Sequence, residues 1–183
     1  MNTLTMVLVI LFAAGTIFIY ARDPVRAWRR YRGVRIVTCP ETQRPAAVSV
    51  DTGHAALTAL VEHQPELRLA ACSRWPERGP CSEPCLADVQ AAGSAGTVRA
   101  IVEGWYATQR CGYCWTPITH AGAAHHQPAL RGADGITVQW SDVPPEQLPD
   151  LFHTHQAVCW NCHIAETFRR LHPDIVMERL RLH

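Results

Sequence analysis

The chain of 183 residues contains no lysine, so its 17 basic residues are all arginine. Its formal net charge is only +1 at pH 7, which argues against a generally basic nucleic-acid binder. No low-complexity tract or strictly periodic repeat is present. With 48% hydrophobic and 18% charged residues, the chain is too apolar to be disordered. Its length suits one ordinary domain with an appendage.

The sequence also lacks the motifs that would name a reaction. It has no His-Glu-x-x-His helix, no Gly-x-Ser-x-Gly elbow and no phosphate-binding glycine loop. The acidic residues are scattered, and no pair has a spacing that compels acid–base catalysis. We therefore predict no catalytic residue and expect a binding or structural protein rather than an enzyme.

Charge is absent from the first 21 residues, where Leu4 to Ala21 is almost continuously apolar. As a helix, these 18 residues would span about 27 Å, enough to cross a bilayer core. A cleaved signal peptide would need a positive start and small residues before the cut, yet Ile19 lies three residues before the best cleavage point. We predict a retained transmembrane anchor at 1–21.

A basic juxtamembrane segment follows at 22–35, with six arginines against the single acid Asp23. Positive flanks stay on the cytoplasmic side, so we expect the N-terminus outside and the remaining domain in the cytoplasm. Residues 36–183 carry 11 arginines and 15 acidic residues, a net charge of −4. The arginines are thus expected to meet membrane lipid, and no nucleic acid is expected as a partner.

Beyond residue 35 the pattern predicts an α+β domain in two lobes, 36–95 and 96–183, separated at Gly93–Gly96. In the first lobe, strands are predicted at 34–38, 46–50 and 67–71, and helices at 54–63 and 86–92. In the second lobe, helices are predicted at 97–108, 144–155 and 163–171, and hairpin strands at 128–131 and 136–140. Ile164, Phe168 and Leu171 are predicted to form the inner face of the last helix.

The strongest chemical signal is a pair of Cys-x-x-Cys motifs among the eight cysteines. Cys111 and Cys114 form the first motif, and Cys159 and Cys162 form the second. Each motif can direct two sulfur atoms at one ion, and four thiolates in a tetrahedron suit structural Zn²⁺. The sequence therefore predicts a zinc site in the second lobe.

The order of a Cys-x-x-Cys turn, a hairpin and a helix that opens with the second pair resembles the treble-clef class of zinc ribbons and fingers. The resemblance covers roughly residues 109–172. It implies that Cys111 and Cys114 are the knuckle ligands and that Cys159 and Cys162 are the helix ligands. The gap between the pairs is long for the class, which implies that the helical stretch at 144–155 is an insertion. The class includes nucleic-acid binders, adaptors and enzymes, so it fixes no activity.

The remaining cysteines, Cys39, Cys72, Cys81 and Cys85, are irregularly spaced but again number four. We predict a second tetrahedral zinc site, so that each small lobe is stabilised by one ion. The alternative is four buried thiols without a metal, since free cysteine is commonly buried.

A rival interpretation begins with Cys159-Trp160-Asn161-Cys162-His163, which is a c-type haem attachment motif. It resembles membrane-anchored monohaem cytochromes, which implies thioethers at Cys159 and Cys162, axial ligation by His163, and His155 or Met177 as the distal ligand. Electron transfer would be the function. Haem c is attached outside the cytoplasm, so the predicted orientation favours zinc. An iron–sulfur cluster on either set of four cysteines is a further alternative.

Two weaker alternatives involve the same region. Cys111 to Cys114 resembles the active-site tetrad of thioredoxin-like enzymes, but such a tetrad follows a strand and opens a helix, whereas a helix precedes this one. Six histidines could also form an open metal site near the zinc: His120, His125, His126, His153, His155 and His163. The preferred prediction is a membrane-anchored zinc-binding accessory or adaptor protein, with structural metal sites and a membrane-protein complex as its partner.

Overall fold

The computed structural model describes residues 2–79, 81–119, 121 and 126–175, apart from the side chain of Arg78. The chain folds into two compact units, Met1–Gly96 and Thr97–His183. Each unit combines helices with a small antiparallel sheet. The mixed helix-and-sheet composition predicted from the sequence is therefore confirmed.

The first helix, α1, runs from Thr3 to Tyr31 and contains 29 residues. It is long and apolar enough, by length and composition, to cross a membrane. No residue in its most apolar stretch of 18 residues is buried. The helix continues through Pro24 into the arginine-rich segment, although proline removes one backbone hydrogen bond and its ring crowds the carbonyl four residues earlier. The predicted basic segment is thus largely a continuation of the same helix.

The sheet of the first unit contains three antiparallel strands in the order β1-β2-β3. They are β1 (Arg35–Thr38), β2 (Pro45–Val50) and β3 (Leu69–Cys72). Buried and partly exposed residues alternate along β2, as the two-residue period of a strand with one covered face requires. The buried members, Ala46, Val48 and Val50, belong to the apolar core of this unit.

Three further helices complete the first unit: α2 (Thr52–Glu62), α3 (Trp75–Arg78) and α4 (Leu86–Ala92). Asp51 caps α2, since its Oδ1 accepts a hydrogen bond of 2.9 Å from the His54 N–H. A 3₁₀ turn at Gly93–Gly96 follows α4. The bounds of α4 agree with the sequence prediction, whereas the sequence pattern does not predict α3.

Arg35 is a buried arginine that joins α1 to this 3₁₀ turn. Its side chain is 1% exposed, and its guanidinium donates hydrogen bonds to the carbonyl oxygens of Gly93 and Arg30. The guanidinium carbon lies 5.7 Å from the centre of the Tyr31 ring, within the range of a cation–π contact. Burial lowers the pKa of Arg35 from its usual value.

The second unit begins with α5 (Val98–Ala107), which Thr97 caps through a 3.2 Å hydrogen bond from the Ala100 N–H. Its sheet has the order β5-β4-β6, and both pairings are antiparallel. The strands are β4 (Ala129–Arg131), β5 (Thr137–Gln139) and β6 (Gln156–Val158). The sequence predicts the hairpin of β4 and β5, but it does not predict β6.

Two helices frame β6 in the chain: α6 (Leu148–Thr154) before it and α7 (Trp160–Leu171) after it. Two 3₁₀ turns, at Trp140–Asp142 and Pro145–Gln147, lead from β5 into α6. The predicted inner face of α7 is wrong: Ile164, Phe168 and Leu171 are 44%, 48% and 64% exposed. Helical spacing groups apolar residues on one face, but it does not decide whether that face is covered.

Candidate metal centre

Cys111 and Cys114 lie in a tight turn between α5 and β4. The Cys111 N–H donates to the Thr116 carbonyl at 3.0 Å, and the Trp115 N–H donates to the Cys111 carbonyl at 2.9 Å. Trp115 adopts a left-handed backbone conformation with φ of +61°, which reverses the chain directly after Cys114. The sequence Cys-Gly-Tyr-Cys therefore folds as a closed turn between its two thiols.

Cys159 and Cys162 lie at the start of α7. Cys159 is the N-cap residue, with extended backbone, and Cys162 belongs to the first helical turn. The His163 N–H donates to the Cys159 carbonyl at 3.0 Å, which closes that turn. The second motif thus spans the junction between β6 and α7, as the sequence predicts for a helix that opens with its ligands.

The two motifs converge on one point. The Sγ atoms of Cys111, Cys114, Cys159 and Cys162 all lie within 4.8 Å of one another, and those of Cys114 and Cys159 are 3.7 Å apart. Cys111 is fully buried, Cys159 and Cys162 are half-buried, and Cys114 is exposed. These four cysteines could hold one metal ion close to the surface of the second unit.

Backbone contacts fix the position of the first turn against the sheet. The Gly112 N–H donates to the Ala157 carbonyl of β6 at 2.9 Å. A Cβ atom at Gly112 would lie 3.1 Å from Oε1 at the end of the flexible Gln156 side chain, so a larger residue would require that side chain to shift slightly. Cys111 packs in one buried cluster with Ala129 and Val158. The sequence does not reveal the role of Gly112 in docking, because that role depends on β6, which has no signal of its own.

The local environment distinguishes the four thiols. Burial opposes ionisation of Cys111, but the backbone N–H groups of Cys114 and Cys159 outweigh it and lower the pKa of Cys111. The Thr116 hydroxyl, 3.3 Å from Cys114 Sγ, lowers the pKa of Cys114 to about 6. Burial raises the pKa of both Cys159 and Cys162. Four thiolates this close together would repel one another, so the cluster suits a bound cation.

His163, the axial ligand of the haem alternative, is buried against β5. It is 7% exposed, and its Nδ1 lies 2.8 Å from the Thr137 hydroxyl of β5. Cys159 and Cys162 share their cluster with the thiols of Cys111 and Cys114, for which haem attachment has no use. A multinuclear iron–sulfur cluster would also need its cysteine sulfurs farther apart, to enclose bridging sulfides. The geometry therefore supports neither alternative and suits a single ion.

The other histidines do not join this cluster among the residues that the structure describes. The His126 ring lies 5.5 Å from that of Trp160, and His155 Nδ1 lies 2.9 Å from the Thr154 hydroxyl. His153 is near the end of α6. His120, His125 and Met177, which the sequence suggests as metal or haem ligands, lie outside the described residues.

The four cysteines of the first unit are arranged more loosely. Cys39 follows β1, Cys72 ends β3, Cys81 lies in the following loop and Cys85 is the N-cap of α4. All four line one cavity of about 30 Å³. Burial and the nearby thiols of Cys72, Cys81 and Cys39 raise the pKa of Cys85 to about 11. Within the described part of the chain, only the cysteines of the second unit have their four sulfur atoms within 4.8 Å of one another.

No protein-family model, curated protein or solved structure matches the chain. The treble-clef resemblance therefore depends on the cysteine motifs and on the order of the surrounding elements. What the site can do follows from its geometry.

Proposed function

We propose that the protein is a membrane-anchored zinc scaffold, an accessory or adaptor protein whose metal sites are structural. The convergence of Cys111, Cys114, Cys159 and Cys162 within 4.8 Å carries the proposal. Four sulfur ligands fill a tetrahedral coordination sphere and leave no position at which water could be activated. The metal would then stabilise a surface rather than catalyse a reaction.

The sulfur separations support zinc. With a Zn–S bond of about 2.3 Å, two ligands of a regular tetrahedron lie about 3.8 Å apart. Cys114 Sγ and Cys159 Sγ are 3.7 Å apart. All six separations are at most 4.8 Å, so small side-chain rotations would complete the tetrahedron.

The surrounding elements support a treble-clef-like arrangement for 109–172. The chain passes from the Cys111–Cys114 turn through the hairpin of β4 and β5 to a helix whose first turn holds Cys162. α6 and β6 lie between the hairpin and that helix. We infer that they form the insertion that accounts for the long spacing between the two motifs.

We propose a second zinc ion in the first unit, bound by Cys39, Cys72, Cys81 and Cys85. Their common cavity and the mutual effect of their thiols on the pKa of Cys85 support this site. The volume of this cavity, about 30 Å³, is of the size that one ion occupies. The four thiols would have to move closer together on binding, whereas those of the second unit need only small side-chain rotations.

Anchoring at the membrane is the second part of the proposal. α1 has the length and apolar surface of a membrane span, and the arginines at its end favour a cytoplasmic location for both units. The exposed Ile164, Phe168 and Leu171 offer apolar surface to a membrane-protein partner. A reporter enzyme fused after residue 183 would be active on the cytoplasmic side; activity on the outer side would overturn this orientation.

Metal analysis of the purified full-length protein tests the zinc assignment. We expect a colourless protein with two zinc ions, one for each set of four thiolates. Cys111→Ser should remove the ion of the second unit, and Cys85→Ser should remove the ion of the first. Serine preserves side-chain size while replacing the thiolate, so each variant is the control for the other.

The outcomes separate the two sites. A wild-type protein with a single zinc ion, which Cys111→Ser loses and Cys85→Ser keeps, would contradict the zinc site of the first unit and support that of the second. Full metal content in Cys111→Ser would overturn the assignment of the second unit. A red protein with a covalent haem spectrum would replace the scaffold with an electron carrier.

A further inference from the structure

The C-terminal half of α2 exposes apolar side chains beside the apolar part of α1. Leu57, Leu60 and Val61 are 65%, 42% and 76% exposed. α2 packs against α1, and its inner residues Ala55 and Ala59 are buried. A short helix of a water-soluble domain normally covers such residues, so this face calls for an apolar environment.

A groove of about 320 Å³ separates this part of α2 from α1. Phe18, Ile19 and Tyr20 line it from α1, and Ala59 and Leu60 line it from α2. These residues of α1 belong to the last apolar turns before the first charged residue, so they mark the level at which the hydrocarbon core would end.

Polar and charged groups line the same groove. They are Arg22, Asp23 and His63. Asp23 lies 3.2 Å from Arg22 Nε and 3.8 Å from His63 Nδ1. The groove thus places apolar residues next to a cluster of opposite charges, which matches the division of a phospholipid into acyl chains and a charged headgroup.

We propose that the C-terminal half of α2 lies in the interfacial layer of the membrane that α1 crosses, and that the groove between the two helices holds phospholipid. This inference depends on the proposed membrane anchor. Lipid is the occupant that the structure favours, because the groove is continuous with the apolar surface of α1. Interfacial helices bury an apolar face about 5–10 Å into the boundary between headgroups and acyl chains.

Photo-crosslinking in a bilayer tests the contact directly. The full-length protein would carry the photoreactive residue p-benzoylphenylalanine in place of Val61, in nanodiscs of phosphatidylglycerol and phosphatidylcholine. Phe12, in the apolar part of α1, is the positive control. Ala91 is the matched negative control, since it is exposed on α4. Its neighbour Gln90 accepts a hydrogen bond through its carbonyl from Arg30, which lies at the C-terminal end of α1 beyond the groove.

We expect phospholipid adducts, measured by intact mass, at positions 12 and 61, with several times less at position 91. Metal content equal to that of wild type would show that each variant is folded. An adduct at position 12 without one at position 61 would overturn the inference and leave the anchor intact. The absence of an adduct at position 12 would contradict the membrane anchor itself. Crosslinking of position 61 to a second copy of the chain, or equal labelling at 61 and 91, would also overturn the lipid contact.

Discussion

The two sets of four cysteines differ in how the chain brings them together. In the second unit, each Cys-x-x-Cys motif places two thiols side by side through a single turn, and the fold has only to join the two motifs. In the first unit, a hairpin, a strand end, a loop and a helix start contribute one cysteine each. The four sulfur atoms lie close together in the second unit, where two short turns already bring the cysteines together in pairs.

The sets also differ in their relation to the apolar core. In the first unit Cys85 is one of nine buried residues of a core that also includes Tyr31, Val48 and Ala55. In the second unit, Cys111 is one of three buried residues of a cluster that also contains Ala129 and Val158. The buried cluster that contains a cysteine is therefore larger in the first unit, so we expect the fold of this unit to depend less on a bound metal.

Metal removal would have the largest effect on this comparison. We expect a zinc chelator, under reducing conditions, to abolish hydrogen-exchange protection of β4, β6 and α7. Structural zinc sites contribute apparent binding free energies of about 10–16 kcal/mol, more than a small domain has to spare. The sheet of β1, β2 and β3 should keep its protection. Hydrogen exchange with mass spectrometry on the full chain in nanodiscs measures both.

Re-addition of zinc is the control for this experiment, because it should restore protection of the second unit if chelation alone caused the loss. Protection of β4 and α7 that survives complete removal of the metal would contradict a structural role for the site. Equal loss in both units would instead contradict the difference between their cores.

Much of the second site can be predicted because its signals are local. Two Cys-x-x-Cys motifs identify four candidate ligands without knowledge of the fold, and the turn at Asp134 and Gly135 marks the hairpin between them. β6 cannot be predicted in this way, since its three residues become a strand only by pairing with β4. The position of Gly112 against Ala157 depends on that strand and is equally hidden from the sequence.

Burial is harder to predict than secondary structure. Arg35 is one of six arginines within 14 residues, and nothing in the sequence marks it as the buried one. Its burial depends on two carbonyl groups that α1 and the Gly93–Gly96 turn bring together. The exposed face of α7 shows the reverse error, because an apolar stripe on a helix does not require a covering partner within the same chain.

Arg35→Met provides a smaller and more local test, confined to the first unit. Methionine keeps the apolar stem but leaves the carbonyl groups of Gly93 and Arg30 without their donors. An unsatisfied buried carbonyl costs about 1–3 kcal/mol, and only the hydrogen bond to Gly93 is fully buried, so we expect a loss of about 1–3 kcal/mol in the stability of this unit. Faster hydrogen exchange in β1 and β2, with unchanged exchange in β4, would be the measurement.

Arg44→Met is the matched control, since Arg44 is exposed on the β1–β2 connection of the same unit. It should leave the exchange of β1 and β2 unchanged, which separates loss of the buried hydrogen bonds from loss of a positive charge. Removing a buried charge also removes its desolvation cost, and that gain opposes the loss of the two hydrogen bonds. Unchanged or slower exchange in Arg35→Met would mean that the desolvation cost dominates. The contacts of α1 with the rest of the first unit would then depend on its apolar residues rather than on Arg35.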